Sequence, residues 1–444
     1  MSIIYQFLTF LFVFGIIVLV HEFGHYFAAR LMKIRVEIFS FGFGKRLFGK
    51  KIGDTDFRLS LFPLGGYIRM AGDEEFDPEH PKPDEFMAKN RAQKIFTLLM
   101  GPVMNLVLAL LLIFIVNLGG VETDAYKLEK PVIGYIEKGS PAEKAGLLTG
   151  DTLLAINGKK TPNWKEVEIT VGTSPKENLK IDFSRQGRTL SATLNVISSS
   201  SYEMGYAGFY WQWPAEIGQV VINYPAAKAG LRPGDVIIAV NDRSIGNYLE
   251  LLDIIHQSAG KQLRLAYKRG DRVLNTQLTA VEENGRGLIG FNVKVASTKV
   301  KYGFFAAMKN SFQESVRLTF LTINAFKKLI LRKISVKSLS GPMEIARISQ
   351  QMLLSGLANF FMLIAFISLQ LGIVNLFPIP GLDGGHLLIF TIETIIRRDL
   401  NQKLKNALIY AGFAFLIALM GFVILNDIAK TLPNGWKSML PFLH

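Results

Sequence analysis

The stretch IIYQFLTFLFVFGIIVLVHEFGH, residues 3–25, joins an apolar run to a cluster of ionisable side chains. Ile3–Val20 is apolar enough for a membrane helix, which needs about 20 such residues. It lacks the preceding basic residue and the following small-residue cleavage site of a signal peptide. It runs straight into His21-Glu22-Phe23-Gly24-His25, an HExxH pattern. On a helix, positions i and i+4 share a face, so both imidazoles can reach one metal ion. Glu22 stands beside them, placed to take a proton from water activated by that metal. The bland alternative is a pair of solvated histidines at a helix end. It fits poorly, because ionisable groups against a membrane helix are costly and by default functional.

Three further stretches are long and apolar enough to span: Ile95–Leu118, Leu353–Phe377 and Ala407–Leu425. The 444 residues are 49% hydrophobic, and the mean hydropathy is +0.27, which suits spans mixed with soluble parts. The formal charge of +14 comes from 50 basic and 36 acidic residues. Its placement decides its meaning. Lys33, Arg35, Lys45, Arg46, Lys50 and Lys51 follow the first span, and Arg397, Arg398, Lys403 and Lys405 separate the last two. By the positive-inside rule both loops face the cytoplasm. Both termini, and everything between the second and third spans, then lie outside. Basic residues that track membrane boundaries argue for a lipid bilayer and against nucleic acid as the partner. The chain has no cysteine, which excludes disulfides and thiolate ligands.

Residues 121–297 form a soluble insert with an internal repeat. SPAEKAGLLTGDTLLAING, from Ser140 to Gly158, matches YPAAKAGLRPGDVIIAVND, from Tyr224 to Asp242, at one constant offset. Each copy holds a short Ala-rich helix, a Gly-Asp turn and an apolar strand ending in Asn. The pattern resembles the PDZ domain and predicts two α+β domains, 121–204 and 205–297. Such domains bind peptides by adding a strand to a sheet edge; spacers or a steric filter would serve equally well. Residues 298–352 read as an amphipathic connector, with Phe304, Phe305, Met308 and Phe312 at helical spacing. It could lie in the membrane interface or pack under the PDZ pair. Residues 52–70 read as strand and turn, because Phe57, Leu59 and Leu61 alternate with polar residues before Pro63, Gly65 and Gly66. This segment is either a hairpin re-entering the bilayer or a small cytoplasmic hairpin.

A catalytic zinc usually has three protein ligands and an open position. The third is sought near the depth of HExxH. Glu37 lies in the basic loop. Asp383 lies in NLFPIPGLDGG, residues 375–385, where two prolines and three glycines end the third helix and open its backbone. The first and third spans run in the same direction, so HExxH and Asp383 arrive at one depth. His386 is the rival ligand. His80, His256 and His444 read as surface residues.

Together, HEFGH at 21–25, FPLGG at 62–66, GPVMN at 101–105 and NLFPIPGLDGG at 375–385 resemble the site-2 protease family of intramembrane zinc metalloproteases. The tandem insert and four-helix order are similar to the Gram-negative bacterial branch of that family. The resemblance implies four transmembrane α-helices with a re-entrant β-loop and two periplasmic PDZ domains. The order is 1–32 (first span with HExxH), 33–94 (cytoplasmic-side loop with the hairpin), 95–120, the two PDZ domains, 298–352 (connector), 353–385 (third span with LDG) and 386–444 (turn, fourth span and outer tail). It implies one Zn2+ held by His21, His25 and Asp383, with Glu22 as general base. Asn375, Pro378 and Pro380, and Phe62, Gly65 and Gly66 of the hairpin, would hold substrate. Substrates would be single-pass proteins already trimmed by another protease, such as an anti-sigma factor, and signal-peptide remnants, cut in the bacterial inner membrane. Gln370 departs from the Asn of some relatives. Two rival readings stand beside this one: a membrane zinc protease with Glu as third ligand, and a tandem-PDZ scaffold with a vestigial metal site.

Overall fold

The computed structural model describes residues 3–72, 80–198, 204–283, 285–332, 336 and 339–431. The expected outer tail beyond 431 lies outside them. The chain divides into two compact units, Glu122–Lys299 and the remainder on either side of it.

Among the described residues, the flanking unit contains four helices long and apolar enough to cross a membrane. The first, α1 (Ile3–Leu31), runs past the apolar stretch that ends at Val20 and lies within the segment 1–32. Nothing in HEFGHYFAARL breaks a helix, so the motif lies within α1 and not at its end. The helix stops where Lys33 turns left-handed (φ 55°). The second, α2 (Arg91–Gly119), starts four residues before the expected Ile95. Asn90 and Gln93 form a capping box there, each side chain accepting from the other's backbone N–H. The third span is Leu357–Asn375 and the fourth Gln402–Thr431. The expected third span, Leu353–Phe377 within 353–385, is not one helix: its first residues end the preceding helix at Leu354, and Gly356 (φ 118°) separates the two. Past Asn375, Pro378 and Pro380 cannot continue the span, and a separate helix, Asp383–Ile396, opens with Asp383.

The expected hairpin at 52–70 is only half of the sheet. Strand β1 (Val36–Ile52) pairs antiparallel with β2 (Thr55–Met70), and both fold on themselves. Ile38–Phe41 face Gly66–Arg69 on one side and Asp56–Leu59 on the other, while Phe48–Ile52 pair with Thr55–Leu59. The segment 66–70 is therefore an outer edge. The connector holds two helices, Phe304–Ile330 and Pro342–Leu354. The first packs on α2 and the third span, with Asn117 Nδ2 donating to Ser311 Oγ (2.9 Å) and Phe326 edge-on to Phe377.

The other unit holds two similar α+β modules. Each has a four-stranded sheet, with segments in the order Lys159–Lys160, Thr152–Ile156, Asn178–Arg185, Arg188–Asn195 in the first and Arg243–Ser244, Val236–Val240, Gln262–Arg269, Arg272–Thr279 in the second. One helix covers each sheet, Trp164–Gly172 or Tyr248–His256. The repeat's Gly-Asp turn has the same physics in both. Asp151 accepts from Leu148 N (2.8 Å) and Arg185; Asp235 accepts from Arg232 N (2.7 Å) and Arg269. The final Asn of each repeat also acts alike: Asn157 Oδ1 accepts from Lys180 N, and Asn241 Oδ1 from Arg264 N. The expected boundary at 204/205 moves, because Ala207 and Phe209 belong to the first core and the second begins at Ala215. Phe209–Tyr210 pair with Tyr135–Ile136 and close the first module.

Candidate active site

Helices α1 and α2 cross where the motif lies. His21 and His25 are buried, 7% and 6% exposed, and point at α2. Gly101 makes that approach possible. A Cβ there would sit 2.2 Å from His25 Nε2 and 2.9 Å from His21 Cε1, so any side chain would overlap the imidazoles. One turn before it, Thr97 O lies 2.9 Å from His25 Nδ1 and takes the hydrogen bond of Nδ1–H. That fixes the tautomer, leaving the Nε2 lone pair for another partner. One turn after Gly101, Asn105 is fully buried with its carboxamide beside His21 Nδ1.

The third span docks on the same helix, Ser368 Oγ donating to Asn105 O (2.9 Å). It ends at Asn375, whose Nδ2 is 3.4 Å from His21 Nε2. The chain then turns, with Gly381 left-handed at φ 95°, and Asp383 enters as the first residue of the next helix. His21 Nε2 and His25 Nε2 stand 3.2 Å apart. Asp383 Oδ2 is 3.1 Å from the first and Oδ1 3.5 Å from the second. These three side chains offer ligand atoms within 4.8 Å of one another. Asp383 Oδ2 is buried and makes no hydrogen bond. The His25 Nε2 lone pair, a second imidazole nitrogen and an unsatisfied carboxylate oxygen crowded at one point are costly unless a cation sits there. Two nitrogens and one oxygen also match the donor set of a catalytic zinc, so the residues fit that ion.

Glu22 lines a cavity of about 470 Å³ beside the cluster, with Tyr67, Met70, Phe86, His386 and Lys405 among its walls. The edge segment of β2 passes directly by Glu22: a Cβ on Gly66 would lie 3.1 Å from Glu22 Cγ. The remaining expected substrate contacts are spread out. Gly65 abuts Phe43, Phe62 is 58% exposed and faces Phe43 in the sheet, Pro378 is exposed and Pro380 half-buried. Of the rival ligands, Glu37 is committed to Arg35 (3.0 Å) and Arg69 (3.2 Å). His386 lines the cavity without joining the donor cluster. His256 borders a separate hollow with Glu283, Arg286 and Leu288, and His444 lies outside the described residues.

Thr97, Gly101 and Asn105 were not among the expected site residues, although Gly101 and Asn105 are the ends of the quoted GPVMN. A Gly, a Pro and an Asn inside an apolar helix were the available signal.

A model of peptidase family M50 matches residues 9–419. The chain belongs to peptidase family M50. Within this family, the Regulator of sigma E protease of Haemophilus influenzae is 32% identical over 452 residues, covering 97% of this chain and 100% of that protein. The Regulator of sigma-E protease RseP of Escherichia coli is 31% identical over 463 residues, with 97% and 100% covered. A Neisseria meningitidis protein named as a zinc metalloprotease is 31% identical over 447 residues, with 96% and 99% covered. Among solved structures, a PDZ domain of the SdrC-like protein of Listeria monocytogenes is 26% identical, covers 19% of this chain and 90% of its own, and has a TM-score of 0.17. The M50 chain described here is a zinc metalloprotease with four membrane-length apolar helices.

Proposed function

We propose that this protease cuts peptide bonds inside the membrane-spanning segments of single-pass proteins. The carrying observation is the donor cluster itself, in which His21 and His25, on a helix of membrane length, meet Asp383, on the helix that follows the third span, around a carboxylate oxygen with no hydrogen bond. In this reading these three residues hold the zinc. When bound, the ion supplies Lewis acidity to the scissile carbonyl and to water. Glu22, at the wall of the adjoining cavity, accepts the proton of the attacking water and returns it to the leaving amine. Thr97 O holds His25 in the ligating tautomer.

A transmembrane helix shields its peptide bonds with its own hydrogen bonds, and unwinding in lipid costs several kcal/mol per unsatisfied group. The edge segment 66–70, which passes Glu22, supplies replacement partners if the unwound substrate adds to it as a strand. In this reading 36–70 is the re-entrant sheet, and Gly65, Gly66 and Asn375 stand nearest the substrate, with Phe62, Pro378 and Pro380 further along its path. Basic loops after the first and third spans support a site on the cytoplasmic side of a bacterial inner membrane, with the termini and both PDZ-like modules in the periplasm. The modules then exclude proteins that keep a bulky outer domain. That restricts substrates to trimmed ones, of which an anti-sigma factor after a first cut and a signal-peptide remnant are the types proposed.

The test is purified protein in detergent with a single-pass substrate, the cut mapped by mass spectrometry. The expected result is a bond within the apolar segment, lost on chelation and restored by zinc. Cutting only in the soluble flanks, or cutting that survives chelation, would refute the proposal.

A further inference from the structure

His25 has a visible reason to offer Nε2 to a metal, and His21 needs one. His21 Nε2 faces Asp383 and His25 Nε2, so Nε2 is the nitrogen that would ligate. A neutral imidazole that ligates through Nε2 carries its proton on Nδ1. That Nδ1–H must donate to an acceptor, and Nδ1 faces the carboxamide of Asn105. The nitrogen Nδ2 lies 3.3 Å from Nδ1, and the oxygen Oδ1 is buried without any hydrogen-bond partner. Two donors cannot satisfy one another. Rotation about χ2 exchanges the near-isosteric ends of a carboxamide. It brings the unpaired oxygen to Nδ1–H and removes both faults at once.

We propose that Asn105 is a positioning residue: its Oδ1 accepts from His21 Nδ1–H and holds that ring in the tautomer that presents Nε2 to zinc. This rests on the reading of His21 as a zinc ligand. The arrangement gives α2 one acceptor for each imidazole. Thr97 O serves His25 and Asn105 Oδ1 serves His21, eight residues apart on one helix face with Gly101 between them. Ser368 clamps the Asn105 backbone from the third span, so the carboxamide has little freedom to move away.

The test compares zinc affinity, by competition with a chromogenic chelator, in Asn105→Leu and Asn105→Asp. Leucine keeps the volume without an acceptor; aspartate keeps the acceptor and removes the amide donors. The expected result is an affinity about 10–100-fold weaker in Asn105→Leu, the usual cost of losing such a partner. Asn105→Asp should stay within a few-fold of wild type. Wild-type affinity in Asn105→Leu overturns the proposal, as does an equal loss in both variants when both elute as folded protein. Should either variant misfold, 15N NMR of histidine-labelled, zinc-loaded wild type decides: His21 must show a protonated Nδ1 and a metal-bound Nε2. A metal-bound Nδ1 refutes the role of Asn105. Zinc absent from His21 altogether refutes instead the ligand assignment on which it rests.

Discussion

Three carboxylates, two buried and one partly buried, separate the two units of this protein by how each is satisfied. Asp151 and Asp235, one in each module, have side chains 1% exposed. Every oxygen is engaged, by the two-pronged guanidinium of Arg185 or Arg269 and by a backbone N–H of the preceding turn. The chain solved the same problem twice with the same residues. Asp383, 17% exposed, receives no arginine or lysine among the described residues and keeps one oxygen without a hydrogen bond there. It faces two imidazoles, of which His25 is held by Thr97 O to present a nitrogen lone pair. A paired buried acid is a stabilising feature of a turn. An unpaired one beside aligned donors is a place prepared for a cation.

That contrast can be broken or sharpened at several points. The largest effect is expected at Glu22, the proposed general base, which stands outside the donor cluster. Glu22→Gln should lower the cleavage rate by about 10²–10⁴ and leave bound zinc unchanged; a loss of zinc would make Glu22 a ligand. Next is Gly101→Ala, whose methyl would overlap His25 Nε2. Zinc affinity should fall about 10–100-fold, and a competition titration that matches wild type would mean the helices do not approach so closely. On the other side of the contrast, Asp151→Ala should leave zinc and the intrinsic cleavage rate alone. It removes hydrogen bonds worth about 1–3 kcal/mol, which lowers the module's melting temperature on the order of 10 °C. Fluorescence of Trp164, Trp211 and Trp213 reports that transition.

The smallest effect is in pH. Burial pushes the Asp151 and Asp235 carboxyls up, but their arginines and turn N–H groups prevail and hold both below the ordinary carboxylate value. A depressed folded value means stability that is present above the unfolded value of about 3.9 and lost as pH falls through the folded one. Thermal unfolding of the modules should therefore be flat from neutral pH to about pH 4 and decline below it. The decline should be shallower in Asp151→Asn, and an identical slope would show that the pair is not responsible.

What the sequence disclosed follows the same division. HExxH and the repeat were readable because each depends on local spacing, one helical turn or one turn-and-strand. The break before Asp383 was readable from Pro378, Pro380 and Gly381, although not that Asp383 would begin a new helix. The first half of the sheet was missed because its alternation is inverted. Val36, Ile38, Ser40 and Gly42 are buried, while the bulkier Phe39, Phe41 and Phe43 face outward more openly among basic residues that suggest a solvated loop. Thr97 and Asn105 could not be assigned from sequence. One acts through a backbone carbonyl, and both depend on which face α2 turns toward α1, a consequence of packing and not of spacing. The module boundary was misplaced for a related reason: Phe209 completes the first sheet from beyond the segment that carries the repeat.

The most direct measurement is elemental zinc per chain in purified wild type, Asp383→Ala and Asp151→Ala. Stoichiometric zinc in wild type and Asp151→Ala, with little or none in Asp383→Ala, is the expected result. Wild-type zinc in Asp383→Ala would contradict the assignment of the unpaired carboxylate as the third ligand.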